Sequence, residues 1–296
     1  MAVTREAPAA VAATLLKVAV LLEAGTSPGA AWRHVAEAGD DAAARIAGRL
    51  EGDRSVPEAL EGERGDAWRE VAAAWEIAAT VGAPLAPSLR GIALALRDAQ
   101  EAMDDVRIAL AEPASTARLM TWLPVFGVVV GLALGFDVVG VLFTHPIGIA
   151  CLVVGIGLLG LARWWTSRLV RGAQPPAGVP GIHAELTAIA LGGGASIERA
   201  RSLVGEADTG RHLDPEQTES VLDLSRRAGV PAVDLLRATA VQQRHDARTD
   251  GRLRAARLGG RLLLPLGVCT LPAFVCLGVA PMLIAVLSST SLPALP

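Results

Sequence analysis

The chain of 296 residues contains one lysine, Lys17, and that scarcity excludes a large class of activity. A phosphate-binding P-loop needs a lysine directly after its second glycine, whereas Lys17 lies in "TLLKVA". Nucleotide hydrolysis by that route is ruled out, and the glycine run in "LGGGASIERARSLVGE" (191–206) needs another explanation. Cysteine is equally sparse. Cys151, Cys269 and Cys276 lie in apolar runs and none belongs to a C-x-x-C pair, so neither a disulfide framework nor a zinc site is indicated. The five histidines (His34, His145, His183, His212 and His245) are scattered, with no H-E-x-x-H pair. No segment shows the apolar/polar alternation of a half-buried strand. A net charge of −3 offers no general electrostatic case for nucleic acid. No metal and no cofactor is expected.

What is abundant is apolar residue. Apolar side chains make up 52% of the chain and charged ones 19%, with a mean hydropathy of +0.43. Residues 119–162 contain no Lys or Arg and one acid, Asp137. That is about twice the ~20 residues that cross a ~30 Å hydrocarbon layer. The spacing predicts a hairpin of two membrane helices, 119–136 and 146–165, with Asp137, Thr144, His145 and Pro146 at its turn. Residues 262–296 are uncharged and predict a third span, 262–287, followed by a short tail, 288–296. The N-terminal stretch, interrupted by Lys17 and Glu23, is not read as a signal peptide.

Arginine placement predicts the orientation. Arg107 and Arg118 precede the first span; Arg163, Arg168 and Arg171 follow the second; Arg252, Arg254, Arg257 and Arg261 precede the third. The hairpin turn and the tail have none. The positive-inside rule then puts the N-terminus and both hydrophilic regions in the cytoplasm and the C-terminus outside a cell membrane crossed several times. Membrane lipid, not nucleic acid, accounts for the Arg252–Arg261 cluster. Gly127, Gly131 and Gly135 recur every fourth residue and predict a packing face between membrane helices.

"LLEAGTSPGAAW" (21–32) fits the G-x-S-x-G pattern of a hydrolase nucleophile elbow. An elbow needs a preceding strand and a backbone N–H on the residue after the serine; here the context is helical and that residue is Pro28, which has none. The stretch reads as a turn: Gly25 ends one helix, Ser27 caps the next and Pro28 occupies its first turn. Gly194 and Ser196 repeat the arrangement. A second pair of landmarks follows, Gly82 and Pro84 in "TVGAPLAPSLRGIALAL" and Gly229 and Pro231 in "RAGVPAVDLLRATAVQQ". The landmarks are 57 residues apart in the first half and 35 in the second (25 to 82, 194 to 229). The chain thus reads as an internal duplication whose second copy is abbreviated. Trp68, Val71 and Trp75 share one helix face and predict a bundle core. Arg244, Arg248 and Arg252 fall at i, i+4 and i+8, on one face offered as a surface for an acidic partner.

These readings predict an all-α, polytopic membrane protein. Its parts are a cytoplasmic helical domain (8–118), a transmembrane hairpin (119–166), a linker (167–182), an abbreviated second cytoplasmic domain (183–261), a third span and the tail. Two helical domains, each with an L-x-x-G-x-S turn and a later G-x-P turn, joined by a membrane hairpin and closed by a terminal span, resemble the type II secretion F family. More narrowly they resemble the Tad (Flp) pilus assembly platform proteins of actinobacteria, most closely in "ARLMTWLPVFGVVVGLALG" and "GRLLLPLGVCTLPAFVCLGVAP". The resemblance implies a non-enzymatic inner-membrane platform. Its implied partners are a hexameric secretion ATPase and pilin-like subunits, together with a second platform protein or further copies of itself. The Glu of the Gly-Glu-x-x-Gly signature found in many members is replaced by Ala79 and Arg226, so a carboxylate or metal role is not carried over. The alternatives are a membrane-anchored serine hydrolase using Ser27 and a transporter subunit.

Overall fold

Prolines open the first two helices, α1 (Pro8–Glu23) and α2 (Pro28–Glu37), at the position where a missing N–H costs nothing. The computed structural model describes residues 6–52, 54–135, 138–173, 178–207 and 215–289, and within these every regular element is helical. Three more helices follow, α3 (Asp41–Leu50), α4 (Val56–Glu61) and α5 (Asp66–Val81), before the 49-residue α6 (Leu85–Ala133). The short α7 (Val138–Thr144) and α8 (Pro146–Ala173) complete the first half. The second half consists of α9 (Ile182–Gly192), α10 (Ile197–Ala207), α11 (Pro215–Ala228) and the long α12 (Ala232–Pro265). Beyond α12 the helix continues through a π stretch (Leu266–Thr270), α13 (Leu271–Phe274), a second π stretch (Val275–Val279) and α14 (Ala280–Ser289).

The repeat is visible atom by atom at its turns. Gly25 and Gly194 both take φ of +88°. In the first copy the N–H of Gly25 donates to Leu22 O and that of Thr26 to Leu21 O, each at 3.0 Å. In the second, Gly194 donates to Leu191 O at 3.0 Å and Ala195 to Ala190 O at 3.2 Å, the same pair of bonds. Gly82 and Gly229 repeat in turn, at φ of +71° and +67°. A left-handed residue at these helix ends is why glycine stands there. Matched on these turns, α1, α2, α5 and α6 align with α9, α10, α11 and α12, and α3 and α4 have no counterpart among the described residues of the second half.

The chain forms two compact units, residues 1–104 with 175–250, and 105–174 with 251–296. In the first, both copies contribute to one core: Leu15, Trp32, Ile46, Trp68, Ile77, Leu89 and Leu96 are buried together with Ile182, Ile189 and Val204. Trp68, Val71 and Trp75 are all buried there, and Trp32 packs at 6.3 and 6.1 Å, centroid to centroid, from Trp68 and Trp75. Two ion-pair clusters brace the helices peculiar to the first copy. Asp40 caps α3, accepting from Ala43 N at 3.2 Å, from Thr14 Oγ1 at 2.7 Å and from Lys17 Nζ at 3.0 Å. Glu63, 4% exposed, accepts from Arg45 and Arg49.

In the second unit, residues expected as a hairpin turn form a helix. Val138–Thr144 is almost wholly apolar and winds into α7, which packs so closely on α8 that a Cβ at Gly148 would strike the Val141 carbonyl oxygen. Asp137, expected at that turn, and His212 lie outside the described residues. Each π stretch precedes a proline, Pro272 or Pro281. The carbonyl four residues before each, on Val268 or Leu277, has no N–H to meet, and a wider turn lets it pass to the next donor.

Candidate functional site

The predicted arginine stripe on α12 lies against carboxylates of this same chain. In the first unit, Arg244 Nε donates to Asp98 Oδ2 at 2.9 Å and Arg248 Nη1 to Glu101 Oε2 at 3.0 Å, so α6 and α12 are fastened side by side. In the second unit, Arg252 Nε donates to Asp105 Oδ2 at 3.1 Å. Glu101 and Asp105 supply two of the three carboxylates in these pairs. Engagement of a partner by these arginines would compete with those pairs.

Arg244 differs from the other two. Its side chain is 8% exposed, and a second carboxylate, Glu185 on α9, 7% exposed, stands with Oε2 3.8 Å from Nη1. That nitrogen is buried and has no hydrogen-bond partner, so its link to Glu185 is purely electrostatic. Glu185 can reach this position because Gly91 of α6 has no side chain: a Cβ there would come within 2.5 Å of Glu185 Oε1. The site is thus an Asp98–Arg244–Glu185 triad, buried at Arg244 and Glu185 and half-exposed at Asp98, that joins three helices from both copies. Sequence reading missed Asp98 and Glu185, which lie 146 and 59 residues from Arg244 and share no motif with it.

The other predicted residues fall as follows. Ser196 caps α10, its Oγ accepting from Arg199 N at 3.2 Å. Ser27 occupies the corresponding N-cap position of α2 ahead of Pro28, but its side chain makes no capping bond. Neither serine is hydrogen-bonded to a histidine or carboxylate among the described residues. His145 Nδ1 accepts from Ile147 N at 3.3 Å, tying it to the start of α8. Pro84 and Pro231 directly precede α6 and α12. Among the described residues no group of three or more His, Cys, Asp or Glu side chains is placed to hold a metal ion.

The glycine stripe divides. Gly127 packs on the third apolar stretch, where a Cβ would lie 3.0 Å from the Phe274 ring and 3.4 Å from Gly278 Cα. Gly131 is buried. Gly135 follows the end of α6 with φ of +83°, and a Cβ there would meet nothing within 4 Å among the described residues. Gly155 similarly admits Leu277. Outward, the second unit presents large apolar side chains, among them Phe126, Phe143, Val153, Ile156, Leu271 and Leu283, each more than half exposed. Two helical stretches, Pro146–Gly172 and Ala232–Ile284, are long and apolar enough to cross a membrane.

Comparison with known families places a name beside this architecture. Residues 14–133 match the family model of Type II secretion system (T2SS), protein F. The match spans less than half of the chain and takes in most of α1, both first-copy turns and α6 to its end. No curated protein and no solved structure matches the chain. The matched residues take in most of the first copy, and the second copy repeats its two glycine turns.

Proposed function

We propose that this chain is an inner-membrane platform protein of a type II secretion or Tad-type pilus assembly machine, without enzymatic activity of its own. The family match over residues 14–133 carries the reading. The apolar exterior of the second unit supports it, because large side chains exposed to this extent are costly in water and favourable in lipid. In this reading the membrane is crossed three times, by the end of α6, by α8 and by the helix running from α12 to α14. The helices of the first unit lie in the cytoplasm, engage a hexameric secretion ATPase and pass its motion to pilin-like subunits leaving the bilayer. The paired halves and the Asp98–Arg244–Glu185 triad suit that task, since a unit that transmits force needs helices that do not slide past one another.

The test is cross-linked affinity purification of the tagged protein from its host's membranes, with partners identified by mass spectrometry. Recovery of a secretion-type ATPase together with pilin-like subunits is the expected outcome. Well-folded protein that recovers neither would overturn the assignment.

A further inference from the structure

Charge is divided unevenly between the two units. Residues 105–174 and 251–296 hold nine arginines and three acids, although the chain as a whole has a formal charge of −3. In the first unit the arginines commonly meet carboxylates, as Arg45, Arg49, Arg90 and Arg201 do. In the second, Arg252 meets Asp105, but Arg168, Arg171, Arg257 and Arg261 form no ion pair with a carboxylate among the described residues.

These four arginines flank one seam. Leu169 and Val170 of α8 pack on Leu258 and Leu262 of α12. Arg168 and Arg171 border the first pair of apolar residues, Arg257 and Arg261 the second, and all four are exposed. The two on α8 are held in place: Arg168 stands 5.8 Å over the Trp164 ring, and Arg171 Nε donates to Ser167 O at 3.2 Å. Along α8 the surface changes in a definite order. Val153, Val154, Ile156 and Leu161 are exposed apolar residues, Trp164 is 56% exposed, and the arginines come next. That is the order of hydrocarbon, interface and headgroup in one bilayer leaflet.

We infer that this seam binds the headgroups of anionic phospholipids in the cytoplasmic leaflet, with Arg168, Arg171, Arg257 and Arg261 donating to phosphate oxygens. The guanidinium fork matches a phosphate, and its charge is not spent on a carboxylate among the described residues. The inference rests on the reading of α8 and α12–α14 as membrane spans. It adds a named lipid class and a named site, and it pins both helices at the same depth.

The experiment is native mass spectrometry of the full chain reconstituted in nanodiscs of phosphatidylglycerol, phosphatidylcholine, or both. The wild type is expected to retain phosphatidylglycerol preferentially from the mixture. A single Arg→Gln change at any of the four positions should lose about fivefold of that preference, the ratio that ~1 kcal/mol per arginine at an anionic surface corresponds to. The quadruple variant should approach parity between the two lipids. Arg201→Gln, on the first unit, should leave the preference unchanged. Because the four side chains are exposed, helix content by circular dichroism should match the wild type in every variant. An unaltered preference in the single variants, or an equal loss in Arg201→Gln, would overturn the site. Failure of the wild type to enter any bilayer would overturn the membrane reading beneath it.

Discussion

At Arg244 the cost of losing one side chain depends on what it leaves behind. Its guanidinium is 8% exposed, and of its two carboxylates Glu185 is 7% and Asp98 46% exposed. Removing the cation leaves Glu185 buried without compensation, which costs about 3–5 kcal/mol, whereas an exposed pair contributes up to about 1 kcal/mol. Arg252, 56% exposed against Asp105, is a pair of the second kind. Arg244→Met should therefore lower the thermal unfolding midpoint far more than Arg252→Met, in detergent-solubilised protein, and adding Glu185→Met should restore much of the loss. Equal midpoints for the two single variants would mean that Glu185 finds water when Arg244 is gone. The serines provide a smaller contrast of the same kind. Ser196 makes its capping bond and Ser27 does not, so Ser196→Ala should cost about 1 kcal/mol and Ser27→Ala only a few tenths. The G-x-S-x-G match at Ser27 is thus a likeness of letters: the glycines and proline determine the turn, and the hydroxyl contributes little to it.

At the scale of the helix, close approach and capping decide which elements hold. Gly91→Ala would place a Cβ within 2.5 Å of Glu185 Oε1, so the buried carboxylate must turn aside, which should destabilise by about 1 kcal/mol, the low end of overpacking costs. Gly48 in α3 meets nothing within 4 Å, so Gly48→Ala should instead stabilise by up to about 1 kcal/mol through helix propensity. Denaturation of the two variants should move in opposite directions. The braces on α3 and α4 make the first copy sensitive to acid. Burial pushes the Asp40 carboxyl up, but hydrogen bonds from Thr14, Ala43 and Lys17 outweigh it and hold the group below its ordinary value. Burial opposes the charge of Glu63 likewise, and its bonds from Arg45 and Arg49 prevail. A carboxyl whose folded value is depressed contributes stability above its unfolded value and loses it as pH falls through the folded one. Tryptophan fluorescence should accordingly report a fall in stability from about pH 5 downward, shallower in Glu63→Gln than in the wild type. The turns that bound these helices were legible in sequence, because a left-handed helix end requires glycine and the requirement recurs at Gly25, Gly82, Gly194 and Gly229. The braces were not legible: Glu63 meets Arg45 across 18 residues and Asp98 meets Arg244 across 146, with no periodicity linking either pair.

At the scale of the whole chain, the separation of apolar from charged sequence was the clearest signal, since a run of residues without lysine or arginine cannot be mistaken for a solvated helix. The shared core of the two helical sets was hidden for the opposite reason. Each set has its own apolar faces, and nothing in either pattern says that Ile182 and Ile189 will be buried with Trp68 and Ile77. The orientation proposed from charge can be measured with the same chain. With Cys151, Cys269 and Cys276 changed to Ala, a single new thiol can be placed at Ser202→Cys, exposed on α10, or at Ser291→Cys near the C-terminus. A membrane-impermeant maleimide added to intact cells should label Ser291→Cys and spare Ser202→Cys, and inverted vesicles should give the reverse. The proposed orientation predicts this outcome from the arginines. Those flanking the spans lie before α6 enters its apolar stretch, after α8, and before the apolar part of α12, positions that an even number of crossings keeps on one side of the bilayer. Labelling of Ser202→Cys from outside would invert the orientation and remove the first unit from the compartment where a cytoplasmic ATPase could reach it. Labelling of both positions from the same side would leave three crossings untenable, and would require that one of the apolar stretches returns without spanning.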